Sequence, residues 1–288
     1  MDNVARRKEG AKQHAFLVYG VRFGTASEKN EIKFENVEID LKTTKPDAKG
    51  VMAIFGARSR KTANDNKISI INTNFTGDTK RVGLIVGATV DAYISSFSER
   101  DVTKQPPLEG ANRNVIKIRG STIPGGGLIA AWYYDHDKAK VDTTKLRFEE
   151  NRIEIHNTKL GAQNIFVVRD GMPILYDGTA ENNHLVIGKN VTEVDGSTLS
   201  LANLWGASGG LPMKNFKGNT FDLSSPVITE SFGGAQHLAF HVDQKMVESG
   251  QPVLKVTGKV PVRFGRDGDF KSTVTLTGAD ATVEEGTN

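Results

Sequence analysis

The chain has 288 residues, a mass of 31.3 kDa and a formal net charge of +3, from 37 Lys and Arg against 34 Asp and Glu. It contains no Cys, which excludes a disulfide framework, a thiolate zinc site and a cysteine nucleophile. Its longest apolar run, residues 82–90, is about half as long as a membrane helix. The N-terminus also lacks the apolar stretch of a signal peptide. We therefore expect a soluble intracellular chain with no membrane partner.

The first predicted element is a short, basic helical segment over residues 3–14, within an N-terminal arm that covers residues 1–14. This segment has almost no apolar face, and Gly10 weakens a helix further. We expect such an arm to become ordered only on a partner surface. Its candidate interaction residues are Arg6, Arg7 and Lys8.

Alternation of apolar and polar residues dominates the body that we assign to residues 15–278, and this period of two predicts strands. A slip of phase at Glu35-Asn36 predicts a β-bulge. A second short helix is predicted at residues 240–249, where Gly250 and Pro252 form a stop signal. The predicted strands cover residues 16–23, 32–41, 82–90, 115–118, 128–134, 146–155, 165–168, 185–187, 227–232, 253–256, 260–264 and 274–276.

Asp-Gly pairs between these runs, such as Asp170-Gly171 and Asp267-Gly268, are typical of hairpin turns. The sequence therefore predicts a mostly-β fold, an antiparallel β-sandwich or barrel with long loops and one or two short helices. The softest breaks in the body are at residues 103–113 and 206–219, and residues 279–288 form an acidic C-terminal tail. We find no repeat at a solenoid period, and we attribute the echo of residues 21–24 in residues 262–265 to chance.

Catalytic patterns are few. Gly206 to Gly210 matches G-x-S-x-G, with Ser208 as nucleophile and His237 as base, but Pro212 breaks the helix that this motif requires. A serine hydrolase is therefore the last-ranked alternative. The His237/His241 pair and the cluster Asp135-His136-Asp137 are interpreted as strand ends and turns. We expect no enzyme activity, no cofactor and no metal.

The strongest charge signal lies between Arg58 and Arg81, with six basic and two acidic residues and a local charge of +4. We interpret this stretch as a long loop that projects from the body. A second basic segment runs from residue 113 to 119, where alternate positions share a face. Either could meet an acidic protein surface or a nucleic-acid backbone. The candidate residues are Arg58, Arg60, Lys61, Lys80, Arg81, Arg113, Lys117 and Arg119.

The arm Asp2 to His14, the loop Arg58 to Arg81 and the Asp-Gly hairpins together resemble virion structural proteins of large tailed bacteriophages, especially tail-tube subunits. This resemblance implies a non-enzymatic protein that assembles with copies of itself and with other virion proteins. It implies a location in the virion after assembly in the host cytoplasm. The alternative is a cytoplasmic protein that binds single-stranded nucleic acid through the basic 58–81 and 113–119 segments.

Overall fold

The computed structural model describes residues 16–41, 50–76, 82–91, 109–134, 145–161, 163–170, 179–194, 215–217, 219–223, 238–240, 254–257, 262–264, 275–277 and 283–285. Over these residues the chain forms strands, turns and bends and no helix. The mostly-β prediction is therefore confirmed.

The strands of the first part of the chain are β1 (Phe16–Glu28), β2 (Glu31–Glu35), β3 (Glu38–Asp40), β4 (Gly50–Asn64), β5 (Lys67–Ile71), β6 (Asn74–Thr76), β7 (Val82–Asp91), β8 (Val115–Arg119), β9 (Thr122–Ile123), β10 (Gly126–Tyr134), β11 (Arg147–Glu149) and β12 (Arg152–His156). Those of the second part are β13 (Lys159–Leu160), β14 (Gln163–Asp170), β15 (Thr179–Glu181), β16 (His184–Ile187), β17 (Thr192–Glu193), β18 (Asn215–Lys217), β19 (Asn219–Leu223), β20 (Leu238–Phe240), β21 (Leu254–Thr257), β22 (Val262–Phe264), β23 (Thr275–Thr277) and β24 (Val283–Glu285).

Successive turns of the chain stack as coils, and each described strand pairs in parallel with the corresponding strand of the next coil. Sheet I contains β1, β4, β7, β10 and β14; sheet II contains β2, β5, β8, β12, β16, β19, β21 and β23; and sheet III contains β3, β6, β9, β13 and β17. Two further three-stranded sheets, β11-β15-β18 and β20-β22-β24, are also parallel. The architecture is a parallel β-helix, in which every strand finds its partner one coil away.

The core is built from columns of equivalent side chains, one from each coil. In sheet II, one inward column is Ile32, Ile68, Ile116, Ile153 and Leu185, which are in register along the stack. All five are buried. Each fully buried aliphatic side chain of this size contributes about 1.5–3 kcal/mol, so repetition of the column gives the stack its stability.

An asparagine ladder fixes the corner that precedes sheet II. Each side-chain Nδ2 donates to the Oδ1 of the next coil, at 2.7 Å from Asn30 to Asn66, 2.9 Å to Asn114, 3.0 Å to Asn151 and 3.0 Å to Asn183. The same oxygens accept from the backbone N–H groups one coil earlier. Asn fits this position because its amide both donates and accepts.

The residue before each ladder asparagine adopts a left-handed backbone with φ of 53–58°. At a second corner, where sheet II ends, residues are also left-handed, with φ of 47–56°. The first set is Lys29, Asp65, Arg113, Glu150 and Asn182, and the second includes Asn36, Asn72, Asn157 and Asn190. Such residues turn the chain sharply between two straight strands. The phase slip at Glu35-Asn36 is one of these corners, between β2 and β3, and the prediction of a β-bulge there is wrong.

The prediction of an antiparallel sandwich or barrel is also wrong, since every pair of described strands is parallel. Alternation reports that one face of a strand is buried and does not report the direction of its neighbour. Among the predicted turns, Asp170 ends β14, which pairs in parallel with β10, and Gly171 lies outside the described residues. The other Asp-Gly pairs, at residues 177–178, 195–196 and 267–268, also lie outside them.

The prediction that the chain has no solenoid repeat is wrong as well. Consecutive ladder asparagines are separated by 36, 48, 37 and 32 residues, so no single period reveals them. The repeat is instead a local motif of Asn, two inward apolar residues at alternate positions and a corner residue, as in 30–36, 66–72 and 151–157.

Helix and loop predictions have mixed outcomes. Residues 3–14 and 241–249 lie outside the described part of the chain, and Phe240, the start of the second predicted helix, ends strand β20. The prediction of a projecting loop at residues 58–81 is wrong for residues 58–76, which form the end of β4, then β5 and β6, within the stack. Residues 77–81 lie outside the described part of the chain. Part of the acidic tail, Val283–Glu285, forms β24 beside β22.

Candidate functional site

The predicted interaction residues fall on different parts of the stack. Arg58, Arg60 and Lys61 lie on β4, whereas Lys117 and Arg119 share the outward face of β8. Lys61 pairs with Glu109 at 2.8 Å. Arg113 is a corner residue. Arg6, Arg7, Lys8, Lys80 and Arg81 lie outside the described residues.

The candidate site is the outward face of β8 and β12, where three cations surround one carboxylate. The Lys117 Nζ lies 3.4 Å and the Arg119 guanidinium 3.8 Å from Glu154 Oε2. On the same strand as Glu154, the Arg152 Nε donates to Oε1. The Glu154 side chain is 10% exposed, while the three cationic side chains are 38–56% exposed. The local charge is therefore +2, and it faces solvent.

Sheet geometry explains this convergence. The register places Lys117 beside Glu154 and Arg119 beside His156 on neighbouring strands, which lie about 4.8 Å apart in a sheet. Alternate residues of each strand share the outward face, since Ile116, Ile118, Ile153 and Ile155 between them point into the core.

Two titratable groups at this site, Glu154 and His184, have shifted pKa values. Burial raises the pKa of Glu154, but Arg152 and Lys117 outweigh it, and the pKa of that carboxyl lies below its usual range. Burial, with a smaller contribution from Arg152, lowers the pKa of His184, which is beside Arg152 in the next coil. Glu154 therefore stays ionised and is unsuited to general acid chemistry at neutral pH.

The neighbouring part of the same face is electrically balanced. On β2 and β5, Lys33 pairs with Glu35 at 2.5 Å and Lys67 pairs with Glu31 at 2.9 Å. All four side chains are 44–55% exposed. Because each of these cations has its own carboxylate, β2 and β5 add no net charge beside β8 and β12.

A second charged pair lies at the corner that precedes sheet II. There the Asp65 carboxylate accepts two hydrogen bonds from the Arg113 guanidinium, at 2.7 and 2.9 Å. These bonds lower the pKa of Asp65 and raise that of Arg113. One coil further out on either side, Lys29 lowers the pKa of Asp65 further and Glu150 raises the pKa of Arg113 further. This one-to-one pair holds adjacent coils together and leaves no net charge.

We expect Arg113→Gln to raise the pKa of Asp65 toward its ordinary value, because the hydrogen bonds that favour the carboxylate are lost. Since the pKa of Asp65 is lower in the folded than in the unfolded chain, its contribution is present above the unfolded pKa and disappears as pH falls. The variant should therefore lose stability at neutral pH, by no more than about 1 kcal/mol for so exposed a pair, and approach the wild type in acid. Carboxyl NMR titration measures the pKa, and an unshifted Asp65 would contradict the assignment.

The outward face of sheet I has a different character. Ala53, Phe55, Val86 and Ile129 form a second buried apolar cluster, separate from the main core. Tyr19 stacks on Phe55, with ring centroids 5.0 Å apart and planes 10° apart. Because Ala53, Val86 and Ile129 are at most 1% exposed, the part of the face that they occupy is not a free surface for a ligand.

Sequence reasoning missed Arg152 and Glu154, which complete the site. Their signal is the repeat itself: aligning the Asn114 and Asn151 motifs places Arg152 at the position of Val115 and Glu154 at that of Lys117. This alignment places three cations and one acid on the outward positions of β8 and β12.

Comparisons with known proteins give no family for this chain. No family model matches it, and neither a curated protein nor a solved structure shows significant similarity. Over the described ranges, no group of three or more His, Asp or Glu side chains could hold a metal ion. That same part of the chain has no helix with the length and apolar character needed to cross a membrane. A function for this chain is therefore proposed from its fold and its surface alone.

Proposed function

We propose that this chain is a non-enzymatic structural protein that assembles with copies of itself, end to end, through the first coil of its stack. A virion is the setting that the sequence favours. The tail-tube resemblance depended on hairpins and a projecting loop that the described residues do not form. The proposal therefore covers a structural virion component and not a tube subunit.

The observation that supports assembly is exposure of apolar side chains on the first described coil. Leu17 is 37% exposed, whereas Ala53, its partner in the second coil, is 1% exposed. Val37 is 40% exposed, whereas Thr73, at the equivalent corner, is fully buried. In repeat proteins the outermost repeat needs a polar outer face or a covering partner. In the first coil, Leu17 and Val37 interrupt an otherwise polar surface, and we infer that a partner covers them.

The sequence segments that adjoin this coil are mostly polar. Residues 1–15 contain only Met1 and Val4 as larger apolar side chains, and residues 42–49 are Lys-Thr-Thr-Lys-Pro-Asp-Ala-Lys. β1, β2 and β3 are the first described strands of three sheets, so this end has the outline of a coil. We infer that the surface which covers it is the coil end of a second copy.

Light scattering coupled to gel filtration tests the proposal across a range of concentrations. We expect the wild type to show multiples of 31.3 kDa, and Leu17→Asp/Val37→Asp to dissociate while its circular dichroism is unchanged. The matched control, Asn182→Asp/Asn190→Asp, adds the same charge at exposed corner positions on later coils and should assemble normally. A wild type that is monomeric at every concentration would contradict assembly. Association that survives the double substitution would exclude this end as the contact.

A further inference from the structure

The three cations around Glu154 have far more hydrogen-bond donors than the carboxylate can accept. Each guanidinium offers five N–H groups and the ammonium three, about thirteen in all, against about four lone-pair positions on one carboxylate. Two of the contacts are also long, at 3.4 Å from Lys117 and 3.8 Å from Arg119. Most of these donors therefore remain available on the solvent side.

Among the described outward residues of sheet II, no further acid lies next to the three cations. Glu31 and Glu35 on the same face are already paired with Lys67 and Lys33. The other outward residues of β8 and β16 are Val115, His184 and Val186, and none of them carries a negative charge. The next acid in the Glu154 column is Asp222, two strands beyond and so about 10 Å away.

We propose that Lys117, Arg119 and Arg152 form a binding site for a tetrahedral oxyanion, a phosphate or sulfate group. Glu154 is the positioning residue, since its buried carboxylate draws the three cations from two strands to one point. Arginine suits this task because its planar fork can donate two hydrogen bonds to one oxyanion. Because the side chains are exposed, the affinity should be modest and should fall as ionic strength rises. This site is independent of the proposed assembly end, which is on a different coil.

Titration with inorganic phosphate at low ionic strength, followed by the ¹H–¹⁵N signals of the arginine Nε–H groups, measures binding to the full chain. We expect saturable shifts at Arg119 and Arg152. Arg119→Gln should weaken binding about two- to fivefold, the range for removal of one exposed charge contact. Glu154→Gln should tighten it by a similar factor, because the glutamine oxygen still accepts hydrogen bonds from the cations while the competing negative charge is lost. The matched control, Lys67→Gln, removes a charge from the same face and should leave the dissociation constant unchanged.

A short oligothymidylate distinguishes the source of the oxyanion. Tighter binding than that of free phosphate, lost in Arg119→Gln and kept in Lys67→Gln, would support the site and assign it to a nucleic-acid backbone. Binding of free phosphate alone, with that same variant pattern, would support a site for a small anion. The proposal fails if phosphate gives no saturable shift, or if Lys67→Gln weakens binding as much as Arg119→Gln.

Discussion

Asn114→Ala should destabilise the protein by about 3–5 kcal/mol, because it removes the middle of the buried asparagine ladder. Asn114 is fully buried and its Nδ2 donates to Asn151 Oδ1 at 3.0 Å and to the Ala63 carbonyl at 2.9 Å. Its Oδ1 accepts from the Asn66 backbone N–H at 3.1 Å and side chain at 2.9 Å. The alanine leaves several of these groups without a partner, and each buried unsatisfied group costs about 1–3 kcal/mol.

Urea unfolding followed by circular dichroism measures the effect. The control is Asn74→Ala, the same substitution at an exposed position that begins β6, for which we expect a change within about 0.5 kcal/mol. Equal free energies of unfolding for the two variants would show that the ladder does not stabilise the stack. Since domains of ordinary stability unfold with only about 5–15 kcal/mol, the expected loss is a large part of the total.

The sequence pattern predicts individual strands but not the direction in which they pair. The strands at residues 82–90, 115–118 and 128–134 are confirmed as β7, β8 and most of β10, because alternation is a local property of a half-buried strand. The direction of pairing is not local. It depends on whether the next strand along the chain turns back or goes around a coil, and both routes use strands of similar composition.

The repeat was hidden by unequal coil lengths. The coil from Asn66 to Asn114 has 48 residues and that from Asn151 to Asn183 has 32, since the number of residues between sheet I and the ladder corner varies. Ser59 and Thr62 are three residues apart, whereas their partners Val90 and Gly110 are twenty apart. A search at one fixed period therefore misses a motif that is constant only within its own few residues.

The candidate site was predictable in part. Lys117 and Arg119 were identified from their alternation on one strand, and the structure places them side by side on β8. Their partners on β12 could be found only with the coil register, because Arg152 and Glu154 are distant in sequence. The basic residues of β4 were assigned to a loop because a polar, Asn-rich stretch follows them; that stretch is a corner of the stack, where Asp65 turns the chain and Asn66 is buried in the ladder.

Gly110→Ala should be among the most damaging single substitutions, with a loss of several kcal/mol or failure to fold. Gly110 bridges Thr62 and Arg147 on the coils to either side, with a φ of 116° that side chains rarely adopt. A Cβ there would lie 1.9 Å from the Arg147 carbonyl oxygen. Because that oxygen belongs to backbone that accepts from Ala111 N–H at 3.0 Å, it cannot move without breaking the coil-to-coil pairing.

Gly83→Ala is the matched control for this prediction, since Gly83 lies on β7 and the nearest atom to its added Cβ would be the Met52 methyl carbon at 3.0 Å. A flexible methionine end can shift by the few tenths of an ångström required, so we expect a change within about 1 kcal/mol. Thermal unfolding of both variants, followed by circular dichroism, gives the comparison. A Gly110→Ala protein as stable as Gly83→Ala would mean that the coil containing β8 does not meet the next coil at Gly110, and the register that places Lys117 beside Glu154 would then need revision.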